Sequence, residues 1–169
     1  MGRKLNVAWL ETPLGELTVI SNANKLILLW FISKQDAIRN IARMESQFDA
    51  TVVQGMSSPI RTIDAELRSY FKGTLKTFTT PVQLLGTPFQ KRVWKELCNI
   101  PYGETLSYSD IASKIGRPTA CRGVAKAIAS NLLTIVVPCH RVICKDGELG
   151  GYSGGIERKK WLLEREAIS

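Results

Sequence analysis

The chain has 169 residues, 44% of them hydrophobic and 22% charged, a composition that implies a globular protein with one or two small cores. No run of about 18 apolar residues is present to span a bilayer. The start Met1-Gly2-Arg3-Lys4-Leu5-Asn6 leads into mixed polar sequence rather than a signal-peptide core, so the expectation is a soluble, cytoplasmic chain with no membrane partner. A formal net charge of +8 favours a polyanionic partner over the plainer reading of a merely basic protein.

Residues 5 to 10 and 17 to 21 read as two short strands joined by the turn Thr12-Pro13-Leu14-Gly15. Asn22-Ala23-Asn24-Lys25 turns the chain into the apolar run Leu26 to Ile32, which reads as a central strand. From Asp36 to Phe48, Ile38, Ile41, Met44 and Phe48 recur at helical spacing, as do Ile60, Ile63, Leu67, Tyr70 and Phe71 between Pro59 and Lys72. Gly73 ends that second helix, and Thr77 to Leu85 reads as a strand or a link. The result is an α/β scaffold over residues 1–85 without a cluster of catalytic residue types.

A second unit, residues 86–169, opens at Thr87-Pro88-Phe89-Gln90. Thr87 and Gln90 have capping-box spacing, and Pro88 sits at the first helical position, where its missing N–H costs nothing. Phe89, Val93 and Leu97 then line one face until Pro101-Tyr102-Gly103 breaks the helix. Ser107 to Gly116 is a short helix with its own capping box and glycine stop, and after Arg117-Pro118-Thr119 another helix runs from about Ala120 to Ser130. Two short helices around a tight turn read as a helix-turn-helix whose second helix faces DNA, although an ordinary helical hairpin gives the same pattern. Gly123, Ala127 and Ser130 form a small-residue stripe suited to the approach of a phosphate backbone. Arg122 and Lys126, four apart, put positive charge beside it. The split near Gly86 leaves 10 Lys/Arg against 7 Asp/Glu before it and 13 against 8 after it, so the charge leans towards this half.

Asn131 ends the helix, and the β-branched run to Val137 leads into Pro138-Cys139-His140-Arg141-Val142, which holds the chain's only histidine. A thiolate is the strongest common protein nucleophile, and a basic neighbour makes it available at neutral pH. A free cysteine is more often a small buried hydrophobe, but here Pro138 fixes the approach and Arg141 adds a cation. Adjacent side chains diverge, so base catalysis by His140 would run through a water. Cys98, Cys121, Cys139 and Cys144 show no paired spacing, which speaks against a zinc site or a disulfide framework and for reduced thiols. No metal or cofactor is expected. Gly147 to Gly155 forms a glycine-rich loop around Tyr152 and Ser153, lacking the Lys-Ser/Thr ending of a phosphate loop. The last helix, Glu157 to Glu166, packs through Trp161, Leu162 and Leu163. Glu166 lies on its apolar face, either frayed into water or paired inside.

The Pro138–Val142 signature, with the Thr-Pro-Phe-Gln helix and the Pro-x-Gly turn, resembles the O6-alkylguanine-DNA alkyltransferases, also called methylated-DNA–protein-cysteine methyltransferases, over roughly residues 87 to 166. The resemblance implies a small ribonuclease-H-like α/β domain followed by a mainly helical winged helix-turn-helix domain. It implies a monomer acting on double-stranded DNA that contains O6-alkylguanine, and on O4-alkylthymine. Transfer of the alkyl group to Cys139 is irreversible and happens once per molecule. Carried across by position, His140 and Glu166 are the relay that deprotonates Cys139, and Asn131 braces the loop. Tyr108 presses on the target phosphate and donates to the departing base, while Arg122 fills the gap left by the flipped nucleotide. Backbone at Cys139, Val142 and Ser153, with the ring of Tyr152, recognises the guanine edge, and Ile128 borders the pocket. With Glu166 turned inward, the expectation is a protonated His140 and a thiol pKa below about 8.5. A DNA-binding regulator would use the same helices without Cys139, and a cysteine hydrolase would turn over repeatedly.

Overall fold

A computed structural model describes residues 2–168. The chain forms two units, Met1–Gln83 and Leu84–Ser169.

The first unit is a four-stranded sheet with two helices. Strands β1 (Arg3–Thr12) and β2 (Gly15–Ser21) form an antiparallel hairpin in which Val7 faces Ile20 and Trp9 faces Thr18. Gly15, at φ 111°, takes the turn conformation that other residues disfavour. Strand β3 (Leu26–Trp30) pairs with β2, and β4 (Ala50–Gln54) runs parallel to β1, giving the order β3-β2-β1-β4. Leu26–Trp30 is therefore an edge strand, not the central one its apolar run suggests. Its outer side is covered locally, because Leu26 N–H donates to the Pro81 carbonyl and Gln83 N–H to the Leu26 carbonyl. Thr77 to Leu85 is thus a link making one bridge, Leu26 to Val82. Helix α1 (Lys34–Phe48) is capped by Ser33, and α2 (Ser58–Phe71) by Ser57 with Pro59 in its first turn. Ile60, Ile63, Leu67 and Tyr70, spaced at helical period, are buried.

Among the described residues, one charge is buried in this unit. Glu66 accepts from Thr79 N–H at 2.7 Å, Thr80 N–H at 3.2 Å and Thr80 Oγ1 at 2.6 Å, and also from Thr79 Oγ1. Burial pushes its carboxyl up, but the hydroxyl and backbone donors outweigh that and hold it below the usual carboxylate range.

The second unit is mainly helical. Helix α3 (Pro88–Leu97) has the full capping box of Thr87 and Gln90, and α4 (Tyr108–Lys114) that of Ser107 and Asp110. Helix α5 (Cys121–Ala129) follows after the left-handed Gly116, and α3, α4 and α5 pack on one another through Val93, Leu97, Ile111, Ala112, Val124 and Ala127. The indole Nε1 of Trp94 donates to the Ala127 carbonyl at 2.7 Å. Strand β5 (Leu106–Ser107) pairs in parallel with β6 (Val142–Ile143), so the start of α4 lies beside the end of the cysteine segment. Helix α6 (Ile156–Ala167) closes the unit. The Pro101–Gly103 turn sits against its end, where a Cβ on Gly103, at φ +82°, would be 3.2 Å from the Glu166 carbonyl oxygen.

Candidate active site

The segment before Cys139 is a series of tight turns rather than a strand. Asn131 Nδ2 donates to the Val137 carbonyl at 2.9 Å, while its Oδ1 accepts from Leu133 N–H at 2.9 Å. Val136 N–H reaches back to the Thr134 carbonyl at 2.8 Å, with Ile135 between them at φ 69°. A β-branched residue in the left-handed region costs on the order of 1–3 kcal/mol and persists only where its surroundings dictate it. After Pro138, residues Cys139–Arg141 make one turn of 3₁₀ helix. That turn sends the Cys139 side chain to a cavity and those of His140 and Arg141 to Glu166.

The thiol of Cys139 is 3% exposed and receives Asn131 Nδ2 at 3.3 Å. It borders a cavity of about 310 Å³ together with Tyr108, Ala125, Ile128, Ala129, Gly151, Tyr152 and Ser153. His140 is fully buried. Its Nε2 lies 2.8 Å from Glu166 Oε1, and its Nδ1 has no hydrogen-bond partner among the described residues. Because a carboxylate only accepts, Nε2 carries the hydrogen and Nδ1 keeps its lone pair, a tautomer assigned from this network. Arg141 turns the same way as His140. Its Nε donates to Glu166 Oε2 at 2.8 Å, Nη2 to Oε1 at 3.0 Å and Nη1 to the Ile100 carbonyl at 2.7 Å. Glu166, 2% exposed, is paired inside and not frayed into water.

Two electrostatic expectations are overturned. Burial pushes the Cys139 thiol above its usual range, against the opposing pull of Asn131 and of the Lys159 charge. Burial likewise holds His140 below the usual imidazole range, outweighing Glu166, with Arg141 and Lys159 pushing the same way as burial. The resting pair is therefore a thiol and a neutral imidazole rather than a preformed ion pair. Tyr108, the first residue of α4, has its phenol pushed up by burial and by the two nearby thiols.

Lys159 is the residue that sequence reasoning missed. It is completely buried, and its Nζ donates to the Val142 carbonyl at 2.6 Å and to the Gly151 carbonyl at 3.1 Å, tying the strand after Cys139 to the glycine-rich loop. Burial holds its ammonium below the usual lysine range, and the charges it feels most are those of the Cys139 and Cys144 sulfurs. Its place was legible in α6, since Lys159, Leu162 and Glu166 lie three and four apart on one face. In sequence it stands between two other basic residues, Arg158 and Lys160, which do not share its burial.

The remaining predicted residues divide. Ile128, Tyr152 and Ser153 line the cavity with Cys139 and Tyr108. Val142 does not: its side chain is buried, and its carbonyl is taken by Lys159. Arg122 and Lys126 are exposed on α5. The small-residue stripe, however, meets α3 rather than an open groove. A Cβ on Gly123 would be 3.4 Å from the Phe89 ring, Ala127 is buried with its carbonyl engaged, and Ser130 Oγ accepts from Gln90 Nε2 at 3.0 Å. The small residues on the cavity side are instead Ala125 and Ala129.

Known proteins resemble this chain in sequence and in fold. Residues 7–84 match the family described as "6-O-methylguanine DNA methyltransferase, ribonuclease-like domain", and residues 88–168 match "6-O-methylguanine DNA methyltransferase, DNA binding domain". The constitutive methylated-DNA–protein-cysteine methyltransferase of Bacillus subtilis (strain 168) is 42% identical over 166 residues, which cover 94% of this chain and 93% of that protein. The Mycobacterium tuberculosis (strain ATCC 25618 / H37Rv) methylated-DNA–protein-cysteine methyltransferase is 40% identical over 93% of this chain and 89% of its own length. Among solved structures, M. tuberculosis OGT in complex with DNA superimposes with a TM-score of 0.81 at 39% identity, covering 98% of this chain and 93% of that one. The O6-methylguanine-DNA methyltransferase of Pyrococcus kodakaraensis strain KOD1 gives 0.69 at 27% identity, over 96% and 98% of the two chains. With both halves matched in order, and relatives aligned across nearly the whole length, the chain belongs to the methylated-DNA–protein-cysteine methyltransferase family.

Proposed function

We propose that this chain repairs DNA by moving the alkyl group of O6-alkylguanine, and of O4-alkylthymine, onto Cys139, once per molecule. A base stacked inside a duplex cannot reach a cavity of this kind, so it must be turned out, at a cost of roughly a few kcal/mol. Arg122 and Lys126, exposed on α5, supply charge for the phosphates, and Arg122 occupies the space the base leaves. The observation that carries the chemistry is the His140–Glu166 hydrogen bond, which fixes the imidazole with its Nδ1 lone pair available as a base. Through one water, Nδ1 accepts the Cys139 proton as Sγ bonds to the alkyl carbon and the carbon–O6 bond breaks. Tyr108 donates its proton to the departing O6 and regains one from solvent. Asn131 holds Sγ in place, and the Lys159 ammonium faces the negative charge that forms there. The thioether product has no leaving group, so the protein is consumed.

The four cysteines are free and, among the described residues, no helix is long and apolar enough to cross a membrane. Free thiols suit work in the reducing cytoplasm, where we propose that the chain acts as a monomer.

Intact mass and peptide mapping after mixing with an O6-methylguanine duplex test the reading. The expected result is one methyl group on Cys139, with Cys98, Cys121 and Cys144 unmodified and no further turnover. Repeated turnover, or methyl groups spread over all four thiols, would overturn it.

A further inference from the structure

Helix α5 ends without the left-handed residue that commonly stops a helix: its cap, Ser130, lies at φ −90° and ψ 5°. Were the helix to continue, Asn131 N–H would donate to the Ala127 carbonyl four residues back. That carbonyl is already taken. Trp94 Nε1, from α3, donates to it at 2.7 Å and Ser130 Oγ at 2.8 Å, with Ser130 N–H as a longer contact at 3.3 Å. No lone pair is left for a further donor, and Asn131 N–H goes instead to the Ile128 carbonyl at 3.2 Å. Gln90 holds the Ser130 hydroxyl to this task. Its Nε2 donates to Ser130 Oγ at 3.0 Å while its Oε1 accepts from Thr87 N–H at 2.9 Å, so the capping box that starts α3 also fixes the end of α5. The tightened turn leaves Asn131, 3% exposed, with its Nδ2 at 2.9 Å from the Val137 carbonyl and 3.3 Å from Cys139 Sγ.

We infer that Ser130 and Trp94 are positioning residues for the transfer: together they end α5 just before the residue whose amide must reach Cys139, and without them Asn131 is drawn into the helix and away from the thiol. The inference rests on Cys139 being the alkyl acceptor. A role of this kind acts only through Asn131, which separates it from ordinary packing.

The test measures two quantities in the wild type, Ser130→Ala and Trp94→Phe. One is the single-turnover transfer rate per folded molecule at saturating O6-methylguanine duplex, where DNA affinity no longer matters. The other is the Cys139 thiol pKa from thiolate absorbance, with the methylated protein subtracted so that Cys98, Cys121 and Cys144 cancel. Asn131 pulls that pKa down, so either variant should raise it by about half a unit and slow transfer about fivefold, the scale of one net hydrogen bond. Ser130→Thr, which keeps the hydroxyl, should match the wild type in both. In an Asn131→Ala background, Ser130→Ala should change neither quantity further. Lower stability with both quantities unmoved would make Ser130 and Trp94 packing residues only, and a slowing of the same size in the Asn131→Ala background would mean that they act by another route. Either result overturns the inference while leaving transfer to Cys139 intact. If Asn131→Ala does not fold, the thiol pKa of the two single variants decides. Absence of any methyl group on Cys139 of the wild type would overturn the underlying site reading, and this inference with it.

Discussion

Each half of the chain buries a glutamate, and the two do different work. Glu66 is surrounded by donors that cannot change their charge: two threonine hydroxyls and two backbone N–H groups. It fastens the link after α2 to the helix. Glu166 faces an imidazole and a guanidinium, and the imidazole adjoins a cysteine in the chain. Burial of a carboxylate is thus no sign of chemistry. What its partners can do with a proton decides.

The largest test of that contrast replaces each glutamate by glutamine. Glu166→Gln leaves Arg141 buried without its counter-charge and should cost about 3–5 kcal/mol of stability. In the fraction that remains folded, it should slow single-turnover transfer about 100-fold, the scale of general-base assistance. Glu66→Gln should cost about 1–2 kcal/mol and leave the rate per folded molecule unchanged. Chemical denaturation and rapid-quench transfer assays measure the two quantities separately. Equal rate effects would erase the distinction.

The pH profile sharpens it further. A thiol that loses its proton to solvent reacts about tenfold faster per pH unit until its pKa is passed. A thiol that gives its proton to His140 does not, because the thiol–imidazole and thiolate–imidazolium pairs hold the same number of protons. With the imidazole pKa lowered and the thiol pKa raised, the transfer rate should be flat between about pH 6.5 and 8.5. His140→Gln should convert the plateau to a slope. A sloping wild-type profile would remove His140 and Glu166 from the deprotonation step.

A smaller effect is expected from the third buried charge of this half. Lys159→Met removes a charge that pulls the Cys139 thiol down, so the thiol pKa should rise further, by about one unit, and transfer should slow about tenfold. Thiolate absorbance against pH reads the first, and the transfer assay the second. A slower reaction with an unmoved thiol pKa would mean that Lys159 matters only for holding the loop.

The smallest effect concerns Glu66 and acid. Its pKa is depressed on folding, so the unfolded chain binds more protons as the pH falls, and stability rises with pH across that window. The contribution is present above the ordinary glutamate pKa of about 4.3 and is lost as the pH falls through the lower folded value. Glu66→Gln should flatten that acid limb when stability is measured from pH 5 downward. An unchanged limb would assign it to other carboxylates.

What could be read from the chain beforehand followed local rules. Thr87 with Gln90 and Ser107 with Asp110 mark helix starts because a cap satisfies its own neighbours, and Phe89, Val93 and Leu97 mark a face because helical period is local. The Cys139 signature was legible for the same reason. The partners of buried charge were not, apart from the His140–Glu166 pair that the family resemblance implied. Nothing near Arg141 in sequence announces Ile100 or Glu166, and nothing near Glu66 announces Thr79 and Thr80. Strand β4 was missed because Ala-Thr-Val-Val-Gln is too short to show an alternating pattern, and β5 and β6 because two residues carry none. Burial also reversed the expected charge states of Cys139 and His140, and only packing could show that.

The glutamate that orients His140 lies 26 residues further along the chain, and the lysine facing Cys139 is on the same final helix. Synthesis is vectorial, and a nascent chain folds as its segments emerge. A ribosome-bound chain that has passed Cys139 but not yet released α6 therefore holds an ordinary cysteine, with neither its base oriented nor its counter-charge in place. A protein that reacts only once has reason to arm its nucleophile last.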